Sequence, residues 1–431
     1  MTEWRDHEAR AALLGELHAR PRPAVTAPGA AARIDLQTTP GEAARHVGRL
    51  RDRLEARGEP VPEAGSRHHV YTEGDLKVVF ERHTEFVSYT LFDTAPGAPF
   101  ETDILTKAPA DAFDSLPGAR VSAIRIHIEK SADGVLDETL AERVFGRPEY
   151  AASHVRGGDA ALASDFQPDA DGFIRFLVFD STPSDVVRGR MVQRIFELEA
   201  YRMAAMLALP VAREAGPLLE KLEAEMDTMS DRIAAGPHAA KDRDILQRLT
   251  RLAGEAERLR ARGDFRFGAA RAYGDIVQDR NLRLREARIE GHERVGVFIE
   301  RRLAPALKTC EAIATRQQAL AERVDRGVQL LATRVQVDVE EQNAELLDAM
   351  NRRAAAQLKL QETVEALSTV AITYYAVGLI LYVAQGLQEG GWGVNPYLVA
   401  GVATPVVFFT VLAGVRLVRV WLKRQGEVDE E

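Results

Sequence analysis

The sequence contains almost no cysteine, since Cys310 is the only one in 431 residues. A single cysteine excludes a disulfide framework within one chain, and it excludes a metal site built from several cysteines. The lack of disulfides is typical of a protein in a reducing cytoplasm. The first ten residues, MTEWRDHEAR, are charged and contain no apolar core segment, so we expect no signal peptide.

The sequence also lacks the short motifs of several common enzyme classes. It contains no P-loop, no glycine-rich dinucleotide fingerprint, no G-x-S-x-G and no H-E-x-x-H. The net charge is −9, whereas a nucleic-acid partner calls for a basic face. We therefore predict neither an enzyme nor a nucleic-acid-binding protein.

Charge is absent from two long stretches near the C-terminus. Residues 366–387 (ALSTVAITYYAVGLILYVAQGL) and 397–415 (YLVAGVATPVVFFTVLAGV) contain no charged residue. A helix needs roughly 20 apolar residues to cross a bilayer core. These stretches predict two transmembrane helices joined by an extracytoplasmic loop, 388–396, and followed by a cytoplasmic tail, 416–431. The alternative is a buried helical hairpin in a soluble protein.

Basic residues flank the two apolar stretches on their outer sides. They are Arg352, Arg353 and Lys359 before the first stretch, and Arg416, Arg419, Lys423 and Arg424 after the second. Lys and Arg favour the cytoplasmic side of a membrane. This pattern predicts a bacterial inner-membrane protein in contact with lipid, with both termini in the cytoplasm. Trp392 and Tyr397 stand where interfacial aromatic residues are expected.

Residues 1–183 have the pattern of a cytosolic α+β domain. Apolar alternation or short apolar runs predict strands over residues 32–37, 69–72, 76–83, 85–92, 120–128 and 173–179, with a Gly74-Asp75 turn between the second and third. Apolar residues at helical spacing predict helices over residues 3–17 and 41–57. We expect a mostly antiparallel or mixed sheet covered by helices.

The remaining soluble part is predicted to be helical. Residues 184–304 form a helical layer, in which Pro210, the Gly216-Pro217 pair and Gly263 are expected to interrupt or end helices. No proline occurs between Pro305 and Pro396, so residues 305–365 are predicted to be a long stalk helix continuous with the first span.

The stalk has a regular apolar seam. Its members are Ile313, Leu320, Val324, Val328, Leu331, Val335, Val339 and Leu346. Steps of three, four and seven residues are typical of a coiled coil. The predicted fold is therefore an α+β cytosolic domain, a helical layer, a long stalk helix and a C-terminal transmembrane hairpin, assembled as a homo-oligomer.

This order of segments resembles the CorA-type magnesium channels. Residues 393–395 (Gly-Val-Asn) resemble the Gly-Met-Asn tripeptide at that family's pore mouth, and residues 367–373 resemble the start of its first span. The middle residue is Val394 instead of Met, the tripeptide lies further from the span, and Ala376 or Val377 stands in place of the mid-span proline. The resemblance implies a homopentamer with a pore along the first span.

A second resemblance covers nearly the whole chain. Residues 16–21 (ELHARP), 80–86 (FERHTEF) and 358–375 are similar to an uncharacterised bacterial family of predicted membrane-anchored proteins. This resemblance implies a membrane location and supplies no activity.

Several polar residues are candidates for the function of a channel. Asn395, with Gly393 and Val394, can line a pore mouth for hydrated Mg²⁺, which sheds water reluctantly; alternatively, Asn395 or Pro396 starts the second helix. Thr369 and Thr373 share one helix face and can line a pore, bond a neighbouring helix or bond back to their own carbonyls.

Acidic residues form two further candidate sites. Asp338, Glu341 and Glu345, beside Glu340, can bind a regulatory divalent cation between subunits, or they form a solvated helix face. Glu81, His83 and Glu85 follow the period of two and can form a metal or proton-transfer site. Alternatively, they form a polar, solvated strand face or a cross-strand ion pair.

We therefore predict a CorA-like oligomeric channel for a divalent cation such as Mg²⁺, the transported or regulatory ion. The alternative is a membrane-anchored cytosolic scaffold or interaction protein that does not conduct ions.

Overall fold

The computed structural model describes residues 6–10, 24–62, 66–236, 239–391 and 393–426. The chain divides into two compact units, Met1–Gly236 with Asp244–Gln329, and Pro237–Arg243 with Leu330–Glu431. The predicted helix over 3–17 lies largely outside the described residues. The ELHARP stretch and Trp392 lie outside them entirely.

The first unit is built on a nine-stranded mixed sheet. Its strands are β1 (Gly29–Gln37), β2 (His68–Glu73), β3 (Leu76–Arg82), β4 (Phe86–Asp93), β5 (Ala119–Lys130), β6 (Ala151–Val155), β7 (Ala160–Ser164), β8 (Ile174–Asp180) and β9 (Ala287–Arg288). The order across the sheet is β2-β3-β4-β1-β5-β8-β7-β6-β9. Only β5 and β8 are parallel among the neighbouring pairs of this described sheet. The predicted α+β class is confirmed.

All six predicted strands are present, with shifts of one to three residues at their ends. The hairpin turns at Gly74, whose φ of +59° is readily adopted only by a residue without a side chain. The sequence does not predict β6, which reads AASHV, and it predicts only a short strand of unstated bounds within the loop-like stretch 156–171, where β7 reads AALAS. The reason is that alanine has low strand propensity. Pairing deep inside the sheet overrides that propensity, since every residue of β7 is buried.

Helices cover both faces of the sheet. On one face lie α1 (Pro40–Ala56) and α2 (Glu138–Phe145), each packed in its own apolar cluster. On the other face, α3 (Asp185–Met206) packs Val192, Ile195 and Phe196 against the apolar row of β5. The predicted helix over 41–57 is thus confirmed as α1, whose start is fixed by a capping box between Thr39 and Glu42.

The helical layer is also present, and a helix ends close to Pro210 as predicted, since α3 ends at Met206 and the next helix begins at Ala208. The predicted breaks at Gly216-Pro217 and Gly263 are wrong. Helix α4 (Ala208–Ala234) contains both Pro210 and Pro217, and α5 (Ala239–Leu284) continues through Gly263. Pro210 lies in the first turn, where the missing N–H would have no helical partner. Pro217 follows Gly216, which has no Cβ to clash with the proline ring.

The long helix begins earlier than predicted. Helix α6 (Val295–Glu389) has 95 residues and contains Pro305 in its interior. Its start is fixed by polar side chains, because Ser153 Oγ accepts the Val295 N–H at 2.9 Å and the Glu286 carboxylate accepts the Gly296 N–H at 3.0 Å. These acceptors are distant in sequence, and local patterns do not reveal them.

The first part of the predicted coiled-coil seam packs inside the chain. Ile313, Leu320 and Val324 are buried. A Cβ added to Gly327 would lie 3.0 Å from Leu249 and 3.5 Å from Met226, which places α6 against α5 and α4. The seam becomes exposed further along, and Leu346 is 60% exposed.

The second unit consists mainly of helix. It contains α6 from Leu330 onward and α7 (Pro396–Gly426), which is predominantly apolar. The presence of one long helix and of an apolar C-terminal helix is as predicted, although their bounds differ. The domain boundaries at residues 183, 304 and 365 stay predictions.

Candidate functional site

The two C-terminal helices contain stretches that are long and apolar enough to cross a membrane. Only 11% of the stretch in α6 and none of the stretch in α7 is buried inside the chain. A soluble core helix would bury its apolar surface. These two helices therefore suggest association with a membrane.

Within the second unit, α6 and α7 pack side by side. Leu358, Gln361 and Glu365 line an open cleft of about 450 Å³ together with residues from the C-terminal half of α7, which are Val411, Gly414, Val415 and Val418. Residues that precede the turn by about 30 positions therefore lie opposite residues that follow it by about 20. This places the two helices antiparallel.

Thr369 and Thr373 continue the α6 face that carries Glu365, at steps of four residues. They are 4% and 7% exposed. Thr369 Oγ1 donates to the Glu365 carbonyl at 2.9 Å, and Thr373 Oγ1 donates to the Thr369 carbonyl at 2.8 Å. Both hydroxyls are thus satisfied by their own helix, which was one of the predicted alternatives. Their role as pore-lining residues stays a prediction.

Asn395 is the N-cap of α7. Its side-chain Oδ1 accepts the Tyr397 N–H at 3.2 Å, its carbonyl accepts the Val399 N–H at 3.2 Å, and Pro396 occupies the first helical position. Gly393 and Asn395 are exposed, and Val394 is partly exposed. The amide oxygen keeps a second lone pair for another contact. The geometry explains the capping function, and a contact with an ion stays a prediction.

The acidic run on α6 is exposed to solvent on one chain. Glu341 and Glu345 are exposed and Asp338 is half-buried. No group of three His, Cys, Asp or Glu side chains among the described residues is placed to hold a metal ion. The predicted cation site lies between subunits, so it stays a prediction.

Glu81, His83 and Glu85 do not meet at one site. Glu81 Oε2 accepts from Arg33 at 3.2 Å, whereas Glu85 accepts from the Tyr273 hydroxyl at 2.6 Å and pairs with Arg266 at 2.8 Å. The ring of His83 stacks on Phe86 with centroids 4.2 Å apart. Glu81 thus has the ion pair that was the predicted alternative.

Arg33 is the centre of a buried polar network that the sequence pattern does not predict. Its guanidinium donates to Asp35 at 2.9 Å and to Ser88 at 2.8 Å, in addition to Glu81. Burial lowers the pKa of Arg33, but the carboxylates of Asp35 and Glu81 outweigh burial and raise that pKa above its usual value. The only sequence signal is a pair of charges on one face of the strand ARIDLQ.

Arg125 lies on the opposite face of the sheet, among acidic side chains. It pairs with Asp103, Asp169 and Asp171 at 2.8–3.1 Å, and its guanidinium carbon lies 4.1 Å from the centroid of the Phe173 ring. Three carboxylates therefore surround one arginine. This network joins the loops 94–118 and 165–173 to the sheet, and its partners leave the guanidinium poorly suited to an anionic ligand.

The sequence model of one protein family matches residues 5–422 of the chain. That family is described as a protein of unknown function, DUF3422. A search of curated proteins finds no match. The predicted whole-chain resemblance to an uncharacterised family agrees with this finding, whereas a link to CorA is not among the matches.

Proposed function

Because the chain belongs to DUF3422, a family of unknown function, we propose a function from its structure: a CorA-like oligomeric channel for a divalent cation in the bacterial inner membrane. The observation that carries the proposal is α6. A single helix of 95 residues begins among the sheet strands and ends after the first apolar stretch. A membrane anchor needs no continuous helix between the two regions, whereas a channel controlled by its cytosolic domain does.

The orientation follows from charge. Basic residues occupy the outer flanks of both apolar stretches, and the intervening turn carries only Glu389. Lys and Arg remain on the cytoplasmic side, so both termini are cytoplasmic and the turn at 390–395 faces outward. The exposed Asn395 then repeats around the mouth of an oligomer, where amide oxygens can contact the water shell of Mg²⁺.

The second candidate function is a membrane-anchored scaffold without conduction. The observation in its favour is that the polar side chains predicted to line a pore or its mouth have hydrogen-bond partners within the chain. Asn395 caps α7, and Thr369 and Thr373 bond to α6 carbonyls. In a membrane anchor, these polar side chains need only such partners within the chain and no contact with an ion.

The decisive experiment is Mg²⁺ flux into liposomes that contain the purified full-length protein. The wild type, Asn395→Ala and Asn395→Ser are compared. Serine caps a helix about as well as asparagine, whereas alanine costs about 1 kcal/mol at this position. Asn395→Ser therefore keeps the cap and removes the amide.

A channel with an amide-lined mouth predicts flux in the wild type and loss of flux in both variants. A channel in which Asn395 is only a cap predicts that Asn395→Ser still conducts. Absence of flux from correctly inserted, oligomeric wild-type protein, across several divalent cations, would contradict the channel and favour the scaffold.

A further inference from the structure

The three tyrosines of the first apolar stretch are turned outward. Tyr374, Tyr375 and Tyr382 are 76%, 71% and 74% exposed. Thr369, Thr373 and Ala384, in the same stretch, are buried. Exposure therefore divides this part of α6 into a buried threonine face and a tyrosine face. The tyrosine face comprises the exposed Ala371, Tyr374, Tyr375 and Tyr382 and the half-buried Gly378.

The tyrosine hydroxyls have no partner in the part of the chain that the structure describes, where Tyr374 and Tyr375 contact each other only through their rings. Both residues lie within three positions of the middle of residues 366–387, which is within about 5 Å along a helix. At that depth lipid offers no hydrogen-bond partner, and an unpaired hydroxyl is costly. A neighbouring polypeptide or a water-filled passage must supply one.

Gly378 gives an independent indication of a neighbour. A Cβ added to it would meet nothing within 4 Å. The packing of the chain itself therefore does not require glycine at this helical position, where glycine costs about 1 kcal/mol relative to alanine. Small residues in membrane helices allow another helix to approach closely.

In the described structure, the continuation of the same helix on the cytoplasmic side is exposed along most of its length, although its last turns before residue 366 line a cleft with α7. Of residues 340–364, all except Ala349 are exposed, including Leu346, Leu360 and Val364. A helix with no packed face is marginal in water. A neighbour is therefore needed along α6 outside the membrane as well as within it.

We propose that the tyrosine face is the contact between copies of this chain arranged in a ring, and this inference rests on the membrane insertion proposed above. Consecutive helical residues point about 100° apart, so Tyr374 and Tyr375 flank a face whose middle is Ala371 and Gly378. In a ring, the Tyr374 side of one copy meets the Tyr375 side of the next, which is a head-to-tail contact that closes. A second copy also supplies a parallel stalk along residues 340–364.

Cysteine cross-linking in native membranes tests this arrangement. In the full-length protein with Cys310→Ser, the double variant Tyr374→Cys/Tyr375→Cys is treated with a short bis-maleimide. A ring predicts a ladder of covalent oligomers that stops at the full ring, and little cross-linking in either single variant. The matched control is Phe409→Cys, which is on α7 and 65% exposed, and it should remain uncross-linked.

Two results would overturn the ring. One is a single cysteine variant that gives only dimers, because this indicates a two-fold contact. The other is the absence of cross-links in protein whose insertion is verified by labelling at Glu389→Cys. A ladder without Mg²⁺ flux would support the contact and contradict the channel, whereas flux without a ladder would contradict the contact alone.

Gly378→Leu provides a second measurement that does not depend on cysteines. The chain has open space at this position, so we expect an unchanged melting temperature for the sheet together with loss of the oligomer in size-exclusion chromatography with light scattering. Gly401→Leu, where a Cβ also meets nothing within 4 Å, should leave the oligomer intact. An intact oligomer in Gly378→Leu would contradict the proposed face.

Discussion

The two compact units differ in two properties: whether buried charges have partners, and how many large apolar side chains are exposed. In the first unit, the buried charges Arg33, Asp180 and Arg188 have charged partners within the chain, and five large apolar side chains among the described residues are exposed. From Leu330 onward, twenty-four are exposed. A soluble monomer rarely exposes apolar surface on this scale. The first unit therefore completes its own core, whereas the second leaves much of its apolar surface uncovered, which is the basis of the proposed membrane insertion and assembly.

The largest expected effect concerns the buried network of the first unit. Arg33→Met leaves Asp35 and Glu81 without their cation, and removal of one partner from a buried ion pair costs about 3–5 kcal/mol. The measurement is the denaturant midpoint of the β-sheet circular dichroism signal of the full-length protein in detergent. Arg45→Met is the control, because Arg45 lies 3.7 Å from Glu42 at an exposed position, where such pairs contribute little. Equal midpoints for the two variants would contradict the claim that this unit depends on its internal partners.

The apolar seam of α6 contains buried and exposed residues on one helix, so the two cases can be compared directly. Leu331 is fully buried and Leu346 is 60% exposed. Leu331→Asp should therefore lower the free energy of unfolding by about 3 kcal/mol or more, because it buries an unpaired charge. Leu346→Asp should leave the stability of the sheet unchanged and weaken the oligomer. Equal loss of sheet stability in both variants would show that the seam is not divided as described.

A smaller effect is expected from pH. Burial lowers the pKa of His46, His68, His69 and His127 below the usual value for histidine. The unfolded chain then binds protons near pH 6.5 that the folded chain resists, so stability is full above that pH and declines as the pH falls toward the folded pKa values.

His46→Gln isolates one of these groups. His46 Nε2–H donates to the Pro117 carbonyl at 2.8 Å, and Nδ1 of the neutral ring accepts the Tyr89 hydroxyl at 2.9 Å. Glutamine can keep part of this bonding. Its loss should flatten the pH dependence by at most about 1.4 kcal/mol per pH unit below pH 6.5. An unchanged slope would contradict a neutral, buried His46.

The sequence predicts elements whose cause is local and misses those whose cause is distant. The Gly74 turn and the alternation of β5 identify their strands directly. The alanine-rich β7 and the start of α6 at Val295 depend on partners far along the chain, such as Ser153 and Glu286. Pro217 predicts a helix break, but the preceding Gly216 has no Cβ to clash with the proline ring, and the helix continues.

In the candidate site, too, the sequence predicts what local spacing determines and does not predict what tertiary packing determines. Periodicity places Thr369 and Thr373 on one face, but it does not reveal whether that face meets α7 or a neighbouring chain. The exposure of Tyr374 and Tyr375 becomes informative only beside the burial of the two threonines, which the structure supplies. A charge in a strand ordinarily predicts a solvated face, so the sequence pattern does not reveal the buried network of Arg33.

If the membrane completes the second unit, the loop between its two apolar helices and the C-terminus lie on opposite sides of the bilayer, and labelling from each side measures this topology. Glu389→Cys is labelled with an impermeant maleimide in intact cells and in inverted vesicles, and an epitope tag after Glu431 is probed in the same samples. Cys310 is buried and serves as the background control. With both termini in the cytoplasm, we expect Glu389→Cys to react only in intact cells and the tag to be accessible only in inverted vesicles. Both sites accessible from the same side, or protein recovered in the soluble fraction, would contradict it.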